Sequence, residues 1–192
     1  KTNIYNTISA SAFIILAINP MLIAEVGFQL SYIAVISIVF FYPHIYKLFY
    51  IKNRWLDKVW VLISVSLAAQ VGTFALGLFY FSQFPNYFLF TNLYAIPLAF
   101  VILYLAIALV ICSPIPIMAS VIGWVLNSTL TILNYLIKFT EALPYSTTSG
   151  ISISTSQTLL IAAAILMLAL FLHYRKPIYI ISLLFSSILF FA

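Results

Sequence analysis

The sequence predicts an all-α fold, a polytopic transmembrane helical bundle, and three observations lead to it. Hydrophobic residues fill 65% of 192 positions and charged residues only 6%, where a soluble domain carries about 25% charged. Mean hydropathy is +1.19. The apolar residues come in runs close to the ~20 that a helix needs to cross a bilayer, broken by prolines and by the few charges. A water-soluble enzyme is excluded, because its surface could not be covered with water-compatible side chains. A disordered chain and a disulfide-scaffolded peptide are excluded too, and the lone Cys112 permits no internal disulfide. Eight Lys/Arg against Glu25, Asp57 and Glu141 leave a net charge of +5. In a membrane protein such an excess records which side the loops face, and is weak ground for a nucleic-acid partner.

About six to seven membrane segments follow in order. The first runs from Ile4 to Ile18 and stops at the turn dipeptide Asn19-Pro20. The second, Val26 to Pro43, enters a loop that gathers Lys47, Lys52, Arg54, Asp57 and Lys58. The third covers Val59 to Phe81 and ends at Ser82-Gln83-Phe84-Pro85-Asn86. The fourth, Phe88 to Cys112, contains Pro97 and ends at Ser113-Pro114-Ile115-Pro116. The fifth covers Ile117 to Thr140. A Ser/Thr-rich stretch from Tyr145 to Thr158 follows, in which the alternation Ser152-Ile153-Ser154 reads as a short extended segment. The sixth covers Leu159 to Tyr174, and Arg175-Lys176 separates it from the last run, Pro177 to Ala192.

That last run reaches only about 24 Å at 1.5 Å per residue, less than the ~30 Å hydrocarbon core. With no initiator Met and apolar sequence from the start, the reading is a single transmembrane domain over residues 1–192, a fragment of a larger membrane protein truncated at both ends. By the positive-inside rule, loops 46–58 and 175–176 are cytoplasmic. An even number of segments separates them, so the two anchors agree if segment five spans. Its Asn127, Thr131, Asn134 and Lys138 share one helical face; it either spans or lies along the interface.

Chemistry-bearing motifs are few, and the expectation is a protein that is not an enzyme, with no cofactor and no metal. Gly72 and Gly77 have the spacing of a phosphate loop, but Leu78 stands where the lysine belongs. His44 and His173 lie at span ends without ligand partners nearby in sequence, and read as interfacial. Asn127-Ser128-Thr129 matches a glycosylation sequon inside an apolar segment, a chance match. Two places say more. Glu25, Gln29 and Tyr32 bring a carboxylate, an amide and a phenol to one face near a helix start; such groups in lipid face the bundle interior, a partner or a wet path. Alternatively, Glu25 is an interfacial cap and Gln29 bonds a neighbouring helix. In segment three, Ser66, Gln70, Thr73 and Gly77 form a polar and small stripe. Close helix packing explains all but Gln70. Gln70 needs a partner, and Asn92 together with Pro97, whose ring frees the Leu93 carbonyl, offers one.

The run Asn-Pro-x4-Glu-x-Gly-Phe-Gln-Leu-Ser-Tyr-x-Ala-Val, from Asn19 to Val35, resembles the signature of the ComEC-type competence family, bacterial inner-membrane channels for DNA uptake. Ser66-Leu67-Ala68-Ala69-Gln70 through Phe81, and Asn92-Leu93-Tyr94-Ala95-Ile96-Pro97-Leu98, resemble it as well. The likeness continues more loosely through Leu143-Pro144 into segment six. The family often has Asp in place of Glu25 and Pro in place of Ala75. The resemblance implies structural roles for Pro20, Gly27, Phe28, Ser31 and Pro97. It also implies a part of the membrane channel alone, since the oligonucleotide-binding-like and metallo-β-lactamase-like domains that flank such channels are not in this apolar sequence.

The implied function is passage of single-stranded DNA across the bacterial cytoplasmic membrane during natural transformation. Glu25, Gln29, Tyr32, Gln70, Thr73 and Asn92 are the candidate pathway or helix-interface residues. The implied partners are single-stranded DNA as cargo, the lipid bilayer, soluble domains of the same full-length protein, and other competence proteins or further copies. The alternatives are a secondary transporter of a small solute, marked by mid-depth carboxylates and inverted repeats, or a non-transporting membrane scaffold.

Overall fold

The structure, a computed structural model, describes residues 3–182 and 184. Local chemistry sets most helix ends. The Asn3 side chain accepts from Tyr5 N–H at 3.1 Å and starts α1, Ile4–Ile18. Asn19 ends α1 and caps the next element, its side chain accepting from Met21 N–H at 3.1 Å. Pro20 then opens a 3-10 turn, Pro20–Ala24, where its missing N–H costs nothing. Helix α2 runs Val26–Tyr46 and α3 Arg54–Phe81, the latter capped by Asn53 on Trp55 N–H at 2.9 Å. Strand β1 (Gln83–Pro85) precedes α4, Phe88–Cys112. Helix α5, Pro116–Glu141, opens on a proline preset for the first helical turn. Strand β2 (Thr147–Ser149) pairs with β1. Helix α6, Thr155–Tyr174, starts from a reciprocal box in which Ser154 and Gln157 satisfy each other's backbone N–H.

Five of these helices, α2 to α6, are long and apolar enough to cross a membrane, by length and composition. The fold is thus the expected all-α membrane bundle. Helix α1, at 15 residues, covers only about 22 Å. Several boundaries differ from the sequence reading. Helix α2 passes through Pro43 to Tyr46; a proline in the last turn disturbs one hydrogen bond and leaves no long helix beyond it to break. Helix α3 begins five residues early, because Asn53 caps it and the charged Arg54, Asp57 and Lys58 join its first turns. Helix α6 begins at Thr155 rather than Leu159 for the same kind of reason. The extended segment lies at Thr147–Ser149; Ser152 to Ser154 is irregular, Ser154 being committed to its cap. Of the last apolar run, positions 183 and 185–192 lie outside the described residues.

The chain divides into two compact units, Lys1–Phe84 with Ser149–Ala192, and Pro85–Thr148. In the first, α2 and α3 form the main helix pair and α6 packs on α3. Its most deeply buried positions are small groups, Ala68 and Ser64 fully buried with Ala75, Ser66 and Ser37 nearly so, and Phe41 and Leu78 are buried beside them. The Ser37 hydroxyl donates to the Ala68 carbonyl at 2.6 Å. A Cβ placed on Gly72 would lie inside contact distance of the Ser37 side chain, so glycine is required there for the two backbones to approach. In the second unit α4 and α5 pack as a hairpin. Tyr94 of α4 reaches the Thr140 hydroxyl at 2.8 Å and the Leu136 carbonyl at 3.1 Å. At the open end of the hairpin the Asn86 amide donates to the Tyr145 carbonyl at 2.7 Å, and Tyr87 to that of Pro144 at 3.0 Å.

Candidate functional site

The signature run builds a polar cluster where the 3-10 turn passes into α2. Glu25 is the N-cap residue of α2, in extended backbone (φ −76, ψ 132), exposed, with no side-chain cap bond. Helical spacing therefore links Gln29 and Tyr32 to each other but takes hold only from Val26. Gln29 is half-buried and fully engaged. Its amide N–H donates to the Ile23 carbonyl at 3.0 Å, and its amide oxygen accepts from the Tyr80 hydroxyl at 2.8 Å. One side chain thus ties the turn, α2 and the end of α3 together. Tyr32 shares a hydrogen bond of 2.9 Å with Ser11 of α1, and Phe28 lies against its ring at 4.4 Å between centroids. Ser31, Ser11 and Tyr32 line a cavity of about 250 Å³. Pro20 opens the 3-10 turn, and Gly27 sits in the first turn of α2 with open space around it.

The second group of candidates lies on α3 and α4. Thr73 donates to the Ala69 carbonyl of its own helix at 3.0 Å. Gln70 is half-buried, and its amide makes no hydrogen bond among the described residues. The same holds for Asn92 on α4. Pro97 is exposed within an α4 that runs unbroken through it. The structure thus joins Gln29 to α3, through Tyr80, and gives the Gln70 and Asn92 amides no hydrogen bond among the described residues.

A larger cavity, about 620 Å³, lies in the first unit among α2, α3 and α6. Ile33, Phe40, Ala75, Leu76, Ile165 and Leu166 are among its walls. Its aliphatic hydroxyls are already spent on backbone carbonyls, Ser37 on Ala68 and Thr158 on Ser154 at 2.9 Å, and Tyr5, His173 and Tyr174 are its other polar side chains. A surface so largely apolar suits hydrocarbon better than a hydrated polyanion. None of the six candidate polar residues lines it.

The closest backbone approach on α3 runs along a different stripe from the one the sequence singled out. Ser66 is buried as that stripe requires, but Gly77 has open space where a Cβ would go. The close approach sets Ala68 and Gly72 against Ser37, with Ser64 fully buried one turn earlier on the same stripe. Its signal was present: small residues four apart, Ser64-x3-Ala68-x3-Gly72, are the spacing at which membrane helices pack tightly. Tyr80 and Ser11 were missed as well. Tyr80 lies near a span end and reads as interfacial until its partner is known, and Ser11 lies mid-way along α1, where no sequence signal marks it.

A family model described as "Competence protein" matches residues 1–177. No curated protein and no solved structure matches the chain.

Proposed function

The chain belongs to the competence-protein family, the ComEC-type family that its signature resembles, with the role in DNA uptake that this implies, and on that premise we propose that it forms part of a membrane channel for single-stranded DNA. The observation that carries the reading is the family match over residues 1–177, joined to a membrane bundle in which the Gln70 and Asn92 amides make no hydrogen bond among the described residues. A polyanion moves through a path only where it binds weakly enough to leave. Neutral amides such as Gln70 and Asn92 meet that need by hydrogen bonding to bases and sugars, where fixed cations would hold the phosphates. Gln29, already bonded to Tyr80 and Ile23, is a positioning residue at the mouth of α2. Glu25 is structural or a gate contact, since a carboxylate repels phosphate.

The carboxylates weigh against a proton- or ion-coupled transporter. Glu25 caps α2, Asp57 lies in the first turn of α3 and Glu141 ends α5; coupled transport uses such groups at mid-depth. The channel sits in the bacterial cytoplasmic membrane with loops 46–58 and 175–176 inside, as their Lys and Arg residues require. Its cargo is single-stranded DNA, it works with the soluble domains of the full-length protein, and it performs no catalysis of its own.

Gln70→Leu in the full-length protein tests the reading. The change removes the amide while roughly keeping bulk. If Gln70 serves only to join helices, the loss is about 0.6 kcal/mol and transformation continues. If it lines the path, an apolar group there favours dewetting and blocks passage. The expected result is normal membrane levels with transformation sharply reduced while DNA still binds at the cell surface. Wild-type transformation at wild-type protein levels rules Gln70 out as a required path residue.

A further inference from the structure

The cavity among α2, α3 and α6 has an apolar body and one basic end. The Ile151 N–H donates to the Ser82 carbonyl at 3.1 Å, so α6 starts beside the end of α3. Tyr80 holds that same end of α3 to the start of α2, through Gln29 at 2.8 Å. Helices α2 and α6 therefore run in the same direction, and their C-terminal ends lie together. The cavity wall at those ends includes Phe40, His173 and Tyr174. Arg175 and Lys176 follow directly, and the loop from Lys47 to Lys58 leaves α2 on the same side. Six of the chain's eight Lys and Arg residues thus stand at this end, none with an ion pair among the described residues. Asp57 is the one carboxylate there, and it already accepts from the Tyr46 hydroxyl at 2.7 Å.

We infer that this cavity is a binding site for a single phospholipid with an anionic headgroup, one acyl chain inside and the phosphate at the basic end. Along α6 the wall runs from Thr158 to Tyr174, about 24 Å at 1.5 Å per residue. It therefore takes in full a chain that spans one leaflet, about 15 Å. Its volume of about 620 Å³ falls in the usual range of small-molecule sites, about 300–1,000 Å³. A further helix, about 10 Å across, needs about 1,900 Å³ over that length and does not fit inside. Water is no better suited, since it requires about two to four polar partners, and along the cavity's body the Ser37 and Thr158 hydroxyls are taken. An acyl chain gives the walls the dispersion contacts that hold membrane helices together where no hydrophobic force acts. Arg175 and Lys176 select the headgroup, each cation near a membrane surface being worth about fivefold in affinity for anionic lipid. The bilayer bathes the outer faces of every spanning helix; this lipid enters between three of them. The site needs only α2, α3 and α6 in the membrane, and is independent of a DNA path along Gln70 and Asn92.

Native mass spectrometry of the full-length protein in detergent, with equal amounts of added phosphatidylglycerol or phosphatidylcholine, tests the site. One phosphatidylglycerol per chain should be retained, roughly tenfold more tightly than phosphatidylcholine. Ala169→Phe, which puts a ring into the cavity from α6, should abolish retention in a folded protein. It should also remove the rise in thermal midpoint that phosphatidylglycerol gives the wild type. Arg175→Gln with Lys176→Gln alters only exposed side chains. That pair should bring the two lipids to near parity while leaving phosphatidylcholine binding unchanged, and it decides the matter if Ala169→Phe does not fold. Equal retention of both lipids by the wild type, retention of neither, or an unchanged preference in the double variant overturns the site. So does phosphatidylglycerol retained at wild-type strength by folded Ala169→Phe.

Discussion

At the scale of single residues, Gly72 carries the sharpest constraint. It lets Ser37 come against α3, and the Ser37 hydroxyl then bonds the Ala68 carbonyl one turn earlier. Between membrane helices no hydrophobic force drives association, so close van der Waals contact and such hydrogen bonds hold the pair. A larger side chain at Gly72 must push α2 away and break both. Gly72→Leu should therefore destabilise the α2–α3 pair by about 1–3 kcal/mol, the usual cost of overpacking. Gly77→Ala, with open space at its Cβ, should be neutral. Membrane abundance and midpoint of thermal unfolding in detergent, compared for the two variants, check this. Equal stability would show that the helices do not meet at Gly72. The identity of the seam residue was only partly legible. A stripe of small residues is visible in the sequence, but small residues fall on more than one stripe of α3, and which one faces α2 depends on where Ser37 stands in another helix.

At the scale of elements, the six α-helices were legible, the 3-10 turn Pro20–Ala24 was not, and the ends were legible where a cap or proline marks them. α1 and α4 match the expected bounds to the residue, stopped by Asn19-Pro20 and by Ser113-Pro114. The start of α3 was missed because Arg54, Asp57 and Lys58 read as loop; charges extend a spanning helix into the headgroup region as readily as they end it. That start also bears on orientation. Tyr50, 95% exposed in the basic loop before α3, and Gln83, exposed just after it, flank a single span. Cysteines placed singly at these two positions, in a Cys112→Ser background, should react with a membrane-impermeant thiol reagent from opposite sides, Gln83→Cys from outside. Labelling of Tyr50→Cys from outside in intact cells would contradict the proposed topology.

At the scale of the whole molecule, membrane class followed from composition, and family from the Asn19–Val35 run together with the α3 and α4 motifs; residues 1–177 match that family's model. The route a strand would take was not legible, because a path is a property of surfaces several helices contribute. The structure narrows it in one respect. The ~620 Å³ cavity among α2, α3 and α6 is walled mostly with hydrocarbon, and neither Gln70 nor Asn92 is among its walls. The central claim, that DNA passes these amides, is tested most directly by a photo-cross-linking residue substituted at Gln70 in the full-length protein, with labelled DNA supplied to transforming cells. Phe100, 58% exposed on the apolar α4, serves as the comparison site. A path along Gln70 predicts covalent capture of single-stranded DNA at Gln70 and none at Phe100. Capture at neither position, or equal capture at both, in cells that still transform would contradict it.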